Sequence, residues 1–382
     1  MTDFEQYIKQ GEPDKQERAY AWQTAIGLQA VDGLTTSDYL KDTACKHIDG
    51  DITIDEAREL IKSYYLSKSS REPDEDEKRE ADTVAANITK ILSTRTLDFS
   101  TNGYVSLHRR IFDGVFKFAG RIRDYDITKK EWVLDGDTVN YLNWEDLRRA
   151  IDYDLEQERN FSYAGLSSDD MIKHIARFVS NLWQIHAFGE GNTRTTAVFT
   201  IQYLRSIGFN VSNSLFANHS WYFRNALVRA NYKNVQKGID YTPVYLERFF
   251  RNLLLGDGWE LRNRYLHINA TGEWREQPNI SKASAGQAQD KYRTSAGQVK
   301  ISPNIERLAK VIGQEQLSVK TIMEKMQLKG RDNFLNLYLN PAIKVGYVTL
   351  LYPDKPRHSR QKYLLTVKGL ALLEALIKKQ TF

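Results

Sequence analysis

The most chemically capable stretch of the sequence is IHAFGEGNTRTTAVF at residues 185–199. Apolar residues recur at helical spacing before this stretch and again after it, which predicts a tight loop that leads into the first turn of a helix. The first N–H groups of a helix have no partners within the helix and carry partial positive charge, so they attract anions such as phosphate. The pattern therefore predicts phosphate chemistry at this loop.

Two side chains of the loop are suited to reaction chemistry. His186 titrates near neutral pH and is a candidate general base. Glu190 offers a hard carboxylate oxygen, and Mg²⁺ is usually bound by one or two carboxylates together with substrate phosphates. Other loop residues could cradle an anion through the backbone or through side-chain donors: Gly189, Gly191, Asn192, Thr193 and Arg194. The competing interpretation is a helix–loop–helix joint with a packed histidine and a solvated glutamate, but the length and order of the motif favour chemistry.

The order His-x-Phe-x-Glu-Gly-Asn-x-Arg resembles the active-site loop of the Fic (Fic/Doc) family, whose usual pattern is His-Pro-Phe-x-Asp/Glu-Gly-Asn-Gly-Arg-x-x-Arg. The resemblance covers roughly residues 85–255. It implies a mainly α fold with a Fic helical core, and a reaction in which AMP passes from ATP to a Ser, Thr or Tyr hydroxyl of a target protein. ATP as the donor substrate and Mg²⁺ as the metal are the implied cofactors.

The resemblance also implies a role for each matching residue. His186 would be the general base on the target hydroxyl, Phe188 the buried anchor of the loop, and Glu190 the Mg²⁺ ligand. The implied nucleotide-binding residues are Phe188, Gly189, Gly191, Asn192, Thr193 and Arg194. Arg194 and the helix N-terminus would stabilise charge on the leaving pyrophosphate.

Three positions depart from the family pattern. Ala187 replaces the proline, Thr193 replaces a glycine, and Ala197 stands where the family has a second arginine that grips the terminal phosphate. Losing that cation is expected to weaken triphosphate binding by on the order of a few kcal/mol. We predict that Arg224 or Arg229, on the next helix, supplies the missing charge. Transfer of another phosphate-containing group is the nearest alternative reaction.

Residues 1–66 have the pattern of a small helical domain, in which one helix ends at Asp32-Gly33 and capping residues open two more. This spacing resembles the VbhA-like antitoxin domains that inhibit Fic enzymes, in which a glutamate at a helix end blocks the second motif arginine. Asp32 stands in the place of that glutamate and is the predicted regulatory residue, although its expected partner is Ala197. A toxin–antitoxin arrangement in which the domain docks is therefore predicted, with inhibition through this contact left open. The alternative is that Asp32-Gly33 merely ends a helix.

The central domain, residues 85–260, is predicted to carry a short β-hairpin over residues 121–134. The segment FKFAGRIR at residues 116–123 resembles the one that leads, in Fic proteins, into a flap over the active site. The resemblance implies that a target protein binds this flap by strand addition, with side chains such as Ile127 and Trp132 setting target choice. An ordinary surface hairpin is the alternative.

Two polar stretches, residues 67–84 and 261–301, are predicted as linkers. The alternative for the first is that it runs into a helix over Ala81 to Leu92. Residues 302–382 then show three helical patterns, two strand patterns and a basic loop, an order that resembles a winged helix. The basic residues of that loop are Lys355, Arg357, Arg360 and Lys362. Residues 299–382 hold 15 Lys and Arg against 6 Asp and Glu, a net charge of +9, which favours DNA as a partner. A protein partner, or a loop that is merely solvated, is the alternative.

The composition is that of an ordinary globular protein, with 382 residues of which 41% are hydrophobic and 27% charged. A chain of this length is expected to form two or three domains. No apolar run is long enough for a membrane span, and the N-terminus lacks the pattern of a signal peptide. The single cysteine, Cys45, cannot form an internal disulfide. These features predict a cytoplasmic protein without a membrane partner, and a homo-oligomer is left open.

The sequence supports two functional hypotheses. The first is a Fic-like protein adenylyltransferase, a nucleotidyltransferase with a regulatory N-terminal domain and a winged-helix tail. The second is a non-catalytic, nucleotide-sensing regulator that binds DNA and uses a degenerate Fic scaffold. An intact His186 and Glu190 favour the enzyme, because a pure scaffold has no physical need of a base beside a metal carboxylate.

Overall fold

The computed structural model describes residues 4–67, 74–94, 96–163, 165–209, 211, 214–270, 302–313, 315–328, 330–344, 346–350 and 361–366, together with 369, 372, 373 and 376. The described chain is mainly α-helical, as predicted. It divides into a larger compact unit, residues 1–160, 172–203 and 212–285, and a smaller one, residues 161–171, 204–211 and 286–382. The domain boundaries drawn from the sequence stay predictions. Among the described residues, no helix is both long and apolar enough to cross a membrane.

The N-terminal part of the larger unit consists of short helices. They are α1 (Glu5–Gln10), α2 (Pro13–Gly27), a 3-10 helix (Leu28–Asp32) that continues α2, α3 (Asp38–Asp49) and α4 (Ile54–Ser67). Gly33 ends the 3-10 helix with a φ of 75°, the left-handed conformation that glycine commonly adopts after a helix. The Ser37 hydroxyl caps α3, and Thr53 and Glu56 form a reciprocal capping box at the start of α4. The helices predicted for residues 1–66 are confirmed.

The stretch predicted as a charged linker is largely helical. Helix α5 spans Glu75–Leu92, so the linker prediction is wrong for residues 75–84, while residues 68–73 lie outside the described part of the chain. One face of α5 is apolar, and Ala81, Val84 and Ile88 are fully buried. The acidic first turn also complements the helix dipole. Burial of this face and the favourable dipole outweigh the high charge of the segment.

The helices around the motif loop are joined by aromatic packing. The remaining helices of this part of the chain are α6 (Thr101–Ile111), α7 (Leu147–Asn160), α8 (Ser168–Ile185), α9 (Asn192–Ser206), α10 (Ser214–Ala230) and α11 (Val244–Leu255). Phe199 of α9 packs edge-on against Tyr104 of α6, with ring centroids 5.3 Å apart, and lies 6.3 Å from Phe178 of α8. Large buried rings of this kind contribute much of the stability of a core. They fix the three helices that hold the motif loop in place.

The β-hairpin predicted for residues 121–134 is not formed. Residues 121–131 contain no strand, and the segment instead closes through a 3-10 helix, Trp132–Leu134, and hydrogen bonds to Glu131. The Glu131 N–H donates to the Asp137 carbonyl oxygen at 2.9 Å, and the Gly136 N–H donates to the Glu131 carbonyl oxygen at 3.0 Å. Arg123 and Glu131 are both buried. The segment is therefore held by buried side chains that contact the core, and not by hydrogen bonds between two paired strands.

The C-terminal part of the smaller unit contains helices followed by a small sheet. Its elements are α12 (Pro303–Ile312), α13 (Val319–Lys325), α14 (Arg331–Phe334), a π-helical turn (Leu335–Leu339), α15 (Asn340–Lys344), β1 (Val348–Leu350) and β2 (Tyr363–Leu365). The strands are antiparallel, with Thr349 opposite Leu364, and Leu317 forms an isolated bridge to Tyr363. A cluster of buried apolar side chains, including Leu308, packs the helices against the strands.

The element order of this C-terminal region is the one predicted for a winged helix. Of the basic loop residues, Lys362 is exposed, whereas Lys355, Arg357 and Arg360 lie outside the described residues. The winged-helix assignment and the DNA partner therefore stay predictions.

Candidate active site

The motif loop connects α8, which ends at Ile185, to α9, which begins at Asn192. This confirms the predicted loop and places the first turn of α9 directly after Gly191. His186 opens the loop with a φ of 50°, a left-handed conformation that is uncommon for a residue other than glycine. Gly191 has a φ of 76°, and a Cβ atom there would lie 2.1 Å from the Phe112 ring. The loop therefore requires glycine at position 191 both for its backbone and for its packing.

His186 is covered in this conformation, with 3% of its surface exposed. Its ring lies 4.1 Å from the Tyr141 ring and edge-on to Trp183 at 5.3 Å, measured between centroids. Within the described residues, neither ring nitrogen has a hydrogen-bond partner. Burial, and then the positive charges of Lys129 and Arg224, hold the pKa of His186 well below its usual value. The imidazole is therefore neutral, and both of its nitrogens are unengaged.

Glu190 is the most accessible charged group of the loop, with 41% of its side chain exposed. Lys129, from the 121–131 segment, donates to both carboxylate oxygens at 3.2 and 3.1 Å, and the Gly191 N–H donates to one of them at 3.0 Å. Burial alone raises the pKa of Glu190, but the Lys129 charge and the Gly191 N–H outweigh it, so the pKa is lowered overall. Glu190 is therefore ionised, and the Lys129 ammonium group contacts both of the oxygens that could coordinate a metal ion.

The residues present fit a magnesium ion that is held mainly by a nucleotide. Across the described ranges, no group of three or more His, Cys, Asp or Glu side chains converges as a metal cage would. Mg²⁺ commonly uses one protein carboxylate and takes its other ligands from substrate phosphates and water. Glu190 offers such a carboxylate, ionised and partly exposed, beside the N-terminus of α9.

Phe188 and Asn192 close the loop on itself. The Phe188 N–H donates to the Asn192 side-chain oxygen at 2.9 Å, and the Asn192 amide donates back to the Phe188 carbonyl oxygen at 2.6 Å. The Phe188 ring is fully buried and stacks on His108 at 3.8 Å. Phe188 is thus the anchor that the sequence predicted, whereas the side chain of Asn192 is committed to the loop rather than free for a phosphate.

His108 is a positioning residue that the sequence reasoning missed. Its Nδ1 accepts a hydrogen bond from the Gly120 N–H at 2.9 Å, so Nε2 carries the proton and donates to the Glu190 carbonyl oxygen at 3.0 Å. Burial lowers the pKa of His108 to about 4, so the ring stays neutral near pH 7. The one sequence feature that could have pointed to His108 is its position directly after Leu107, an apolar residue of a predicted helix.

Thr193 does not direct its hydroxyl toward an open anion site. Its Oγ1 accepts a hydrogen bond from the Trp183 indole N–H at 2.9 Å, and the residue is buried. Thr193 therefore joins α8 to the first turn of α9 through its side chain, and its role in nucleotide binding stays a prediction. The replacement of the family glycine adds a packing contact.

Arg194 is the most tightly held side chain of the motif, with 1% of it exposed. Its Nε lies 2.7 Å from Asp32 Oδ2, one terminal nitrogen donates to Glu80 at 2.8 Å, and the other donates to the Gln29 side-chain oxygen at 3.0 Å. The guanidinium also lies over the Phe112 ring, 4.8 Å from its centroid. Asp32 thus reaches the motif as predicted, but it contacts the first arginine rather than position 197. Glu80 and Gln29 were not foreseen.

Of the two arginines predicted to replace the missing cation, only Arg224 reaches this cluster. Arg224 lies 3.2 Å from Asp32 Oδ1 and donates to both Glu131 oxygens at 3.1 and 3.0 Å. Arg229 instead donates to the Leu266 carbonyl oxygen and to the Thr242 hydroxyl at 3.0 and 3.1 Å. Arg229 therefore holds the chain on both sides of α11, and its predicted nucleotide contact stays a prediction.

Arg123 connects the 121–131 segment to the motif loop, and the sequence reasoning did not single it out. Its Nε donates to the His186 carbonyl oxygen at 2.8 Å, and its backbone N–H donates to the Ala187 carbonyl oxygen at 2.9 Å. A third bond runs from the guanidinium to the Leu142 carbonyl oxygen. These bonds hold the left-handed backbone of His186 in place. In the sequence, the only indication of this role was that Arg123 follows Arg121 by two residues in the segment FAGRIR.

The segment over the loop presents exposed aromatic rings. Tyr125 and Trp132 are each about half exposed, and the Tyr125 hydroxyl would lie 2.6 Å from a Cβ atom added to Gly189. Trp132 packs edge-on against His267 at 5.1 Å, and Ile127 is half-buried. The predicted target-binding residues therefore do lie on a surface segment beside the loop, although this segment is not a hairpin.

Two family models match the sequence. Residues 98–204 match the Fic/DOC family, and residues 303–366 match the C-terminal domain of the filamentation-induced-by-cAMP protein Fic-like family. Neither model covers residues 1–97, so the VbhA-like assignment of the N-terminal domain stays a prediction.

The chain is also similar to individual proteins. It is 22% identical over 268 residues to the protein adenylyltransferase VbhT of Bartonella schoenbuchensis, which covers 65% of this chain and 54% of VbhT. The chain thus spans about half the length of that curated relative. A solved structure of a Fic family protein from Desulfovibrio desulfuricans G20 has a TM-score of 0.44 to this chain at 16% identity, over 95% of this chain and 90% of the other.

The match to the Fic/DOC model includes the whole motif loop and the helices α6, α8 and most of α9 that hold it. The anchored Phe188, the ionised Glu190 and the start of α9 at Asn192 all lie within the matched residues. The match therefore places a Fic/DOC domain at residues 98–204 of the chain.

Proposed function

We propose that this protein is an adenylyltransferase that transfers AMP from ATP to a hydroxyl side chain of a target protein. The observation that carries the proposal is His186, whose neutral imidazole has two unengaged nitrogens on the same loop as an ionised Glu190. Such an imidazole has no role in holding the fold by hydrogen bonds, whereas a proton acceptor needs a free nitrogen. The match of residues 98–204 to the Fic/DOC family model and the similarity to a protein adenylyltransferase support a transferase of this type.

In this reaction, His186 accepts the proton of the target hydroxyl as the hydroxyl oxygen attacks the α-phosphorus of ATP. The new bond joins that oxygen to phosphorus, the bond from the α-phosphorus to the bridging oxygen breaks, and pyrophosphate leaves with the electron pair. Arg194 and the N-terminus of α9 stabilise the charge that develops on the leaving group. Glu190 would hold Mg²⁺, which would neutralise phosphate charge when bound.

The described conformation has the properties of a resting state of such an enzyme. A general base works best when its pKa lies near the working pH, and the pKa of the buried His186 lies well below it. Asp32 and Glu80 neutralise Arg194, and Lys129 covers Glu190. We infer that Asp32 is a regulatory residue and that the N-terminal helices must shift before nucleotide binds.

The test is transfer of label from ATP, radiolabelled at the α-phosphate, to protein in the presence of Mg²⁺ and a lysate that supplies candidate targets. The variant Asp32→Ala is expected to label protein more strongly than the wild type, and adding His186→Ala to it should reduce labelling by at least about 100-fold, the range that general-base removal costs. Arg251→Gln is a control, because Arg251 pairs with Asp257 at 2.6 Å. Equal labelling with and without His186 would refute the proposal.

The second hypothesis is a DNA-binding regulator without catalysis. One feature favours it: His186 is buried and so is not exposed to a target hydroxyl in this conformation. It predicts nucleotide binding without transfer in every variant that frees Arg194. It also predicts DNA binding whose affinity falls steeply with salt concentration. Label transfer that depends on His186 would exclude it.

A further inference from the structure

Two aromatic rings cover the candidate base His186, and they are held with different firmness. Trp183 is fully buried and edge-on to the imidazole at 5.3 Å between centroids, and its indole N–H donates to the Thr193 hydroxyl at 2.9 Å. Tyr141 lies over the imidazole at 4.1 Å between centroids and is only half-buried. Because Trp183 is fixed in the core, Tyr141 is the part of this cover that can move without disturbing the core.

The main chain on either side of Tyr141 is fixed by two hydrogen bonds. The Asn140 carbonyl oxygen accepts one from the Gln184 side chain at 3.1 Å, and the Leu142 carbonyl oxygen accepts one from the Arg123 guanidinium. Gln184 belongs to α8, and Arg123 also bonds to the motif loop. The main chain of Tyr141 is therefore held beside His186, and its side chain can still rotate.

A hydrogen bond to Glu131 holds the Tyr141 side chain in place. The Tyr141 hydroxyl donates to Glu131 Oε1 at 3.2 Å, and within the described residues Glu131 is its one partner. Burial, and then the negative charge of Glu131, raise the pKa of Tyr141, so the hydroxyl keeps its proton and can donate it. The Glu131 side chain is 3% exposed, and Arg224 donates to both of its oxygens at 3.1 and 3.0 Å. The acceptor is therefore a fixed carboxylate.

The covered position of His186 conflicts with its proposed role. A general base has to approach within about 3 Å of the oxygen whose proton it accepts. With 3% of His186 exposed, a hydroxyl of another protein cannot come that close in the described conformation. Within the described residues, neither ring nitrogen forms a hydrogen bond, so the imidazole breaks no such bond when it becomes available. Rotation of the Tyr141 ring would expose the imidazole while the loop backbone stays in place.

We propose that Tyr141 is a positioning residue that closes the approach to His186, and that its hydrogen bond to Glu131 keeps this approach closed. The target hydroxyl reaches the base only after that bond breaks and the Tyr141 side chain turns away. The inference rests on the proposed function, because it concerns access to the base of that reaction. It also gives the buried Glu131 a role, which is to hold the cover over His186.

The test measures access to His186 with diethyl pyrocarbonate, a reagent that acylates neutral and accessible imidazole nitrogens. The full chain is treated near pH 7, and the rate of modification of each histidine is followed by peptide mass spectrometry. Tyr141→Phe keeps the ring and removes the bond to Glu131. We expect it to increase the rate at His186 about 10-fold, the effect of losing a hydrogen bond to a charged group. Tyr141→Ala also removes the ring and should increase the rate further.

Other histidines of the chain report whether each variant is folded. His47 and His108 are buried and accept hydrogen bonds from the Trp22 indole and the Gly120 N–H, both at 2.9 Å. Both should stay protected in every variant. If Tyr141→Ala exposes them as well, that variant has unfolded and Tyr141→Phe decides the question. Tyr153→Phe is the matched control, because Tyr153 is 61% exposed on α7 and should leave the rate at His186 unchanged.

The outcomes separate this inference from the proposed function. An equal rate at His186 in Tyr141→Phe and in the wild type would overturn the inference, whatever label transfer shows. Adding Tyr141→Phe to Asp32→Ala is expected to increase label transfer from ATP, and a decrease would overturn the inference because the Tyr141 hydroxyl would then assist the reaction. Faster modification of His186 without label transfer in any variant would overturn adenylyl transfer alone and leave Tyr141 as the cover of His186.

Discussion

Each charged side chain of the motif loop has a partner from another part of the chain. Lys129 pairs with Glu190, and Asp32 and Glu80 pair with Arg194. The neutral His186 differs from them, because its ring is covered by aromatic side chains but has no hydrogen-bond partner within the described residues. At the scale of single residues, the loop therefore carries neutralised charges and an unused proton acceptor. Removing one partner should change the acid–base behaviour of the group that it covers.

Lys129 sets the ionisation of Glu190. Without the lysine, burial is the largest remaining effect and should raise the pKa of Glu190 above its value in the wild type. We expect Lys129→Met to show this rise in a ¹³C NMR titration of the Glu190 carboxyl carbon, assigned by its loss in Glu190→Gln. Because the wild-type pKa is lowered, ionised Glu190 stabilises the native state above its unfolded pKa, and this contribution is lost as the pH falls through the folded pKa.

The neighbouring Lys130 provides a matched control. It is exposed on the same segment, so Lys130→Met should leave the titration of Glu190 unchanged. A Glu190 titration that is the same in Lys129→Met and in the wild type would show that the Lys129 contact is not populated in solution.

At the scale of elements, α2 and the 3-10 helix after it dock closely on α10. A Cβ atom on Gly27 would lie 2.4 Å from the Ala217 carbonyl oxygen, so the two backbones touch. The Ser220 hydroxyl donates to the Gly27 carbonyl oxygen at 2.7 Å. The same helix α10 carries Arg224, so the docking of α2 and the placement of Asp32 beside Arg224 belong to one interface.

Gly27→Ala is expected to displace α2 from α10, although alanine is the better helix former. We expect a lower midpoint of thermal unfolding and, if docking blocks the nucleotide, a rise in ATP affinity measured by calorimetry. Gly33→Ala is the matched control. It strains a residue with a φ of 75° by about 1 kcal/mol, but its added Cβ meets no atom within 4 Å. Unchanged ATP affinity in Gly27→Ala would contradict a blocking role for this contact.

At the scale of the whole molecule, charge is distributed unevenly along the sequence. Residues 1–80 hold 11 Lys and Arg against 19 Asp and Glu, a net charge of −8, while residues 299–382 carry +9. The acidic end supplies the two carboxylates that contact Arg194. The basic end coincides with a region that matches a Fic-like C-terminal family. Its partner, and the location of the protein in the cell, stay predictions.

If the C-terminal region binds DNA through its basic loop, neutralising that loop should reduce the salt dependence of binding. The variant with Lys355, Arg357 and Arg360 changed to Gln is expected to lower the slope of log affinity against log salt by about 2.7, since each phosphate contact contributes about 0.9. Fluorescence anisotropy with a labelled duplex measures this slope. Changing Lys15, Lys41 and Lys62 to Gln removes the same charge from the N-terminal region and should leave the slope unchanged. Absence of DNA binding in the wild type would instead favour a protein partner.

The sequence by itself determined the elements whose signals are local. The apolar periodicity of α8, the glycine at 191 and the capping residues Ser37 and Thr53 each act within a few residues of their own position, so the loop and many helices could be predicted. The same reasoning failed where distant contacts decide. Residues 75–84 are helical because one face of α5 is buried. Residues 121–134 do not form the expected hairpin, because hydrogen bonds of the buried Arg123 and Glu131 hold the segment instead.

Only the tertiary structure decided which charges meet at the candidate site. Asp32, Glu80 and Arg224 lie 162, 114 and 30 positions from Arg194 along the sequence, and no local pattern encodes their convergence. The sequence predicted that Asp32 regulates and that Arg224 or Arg229 replaces a lost cation, but it could not choose the partner of either. That choice follows from the packing of α2, α5 and α10 around the motif loop, because packing fixes which groups share a poorly screened site.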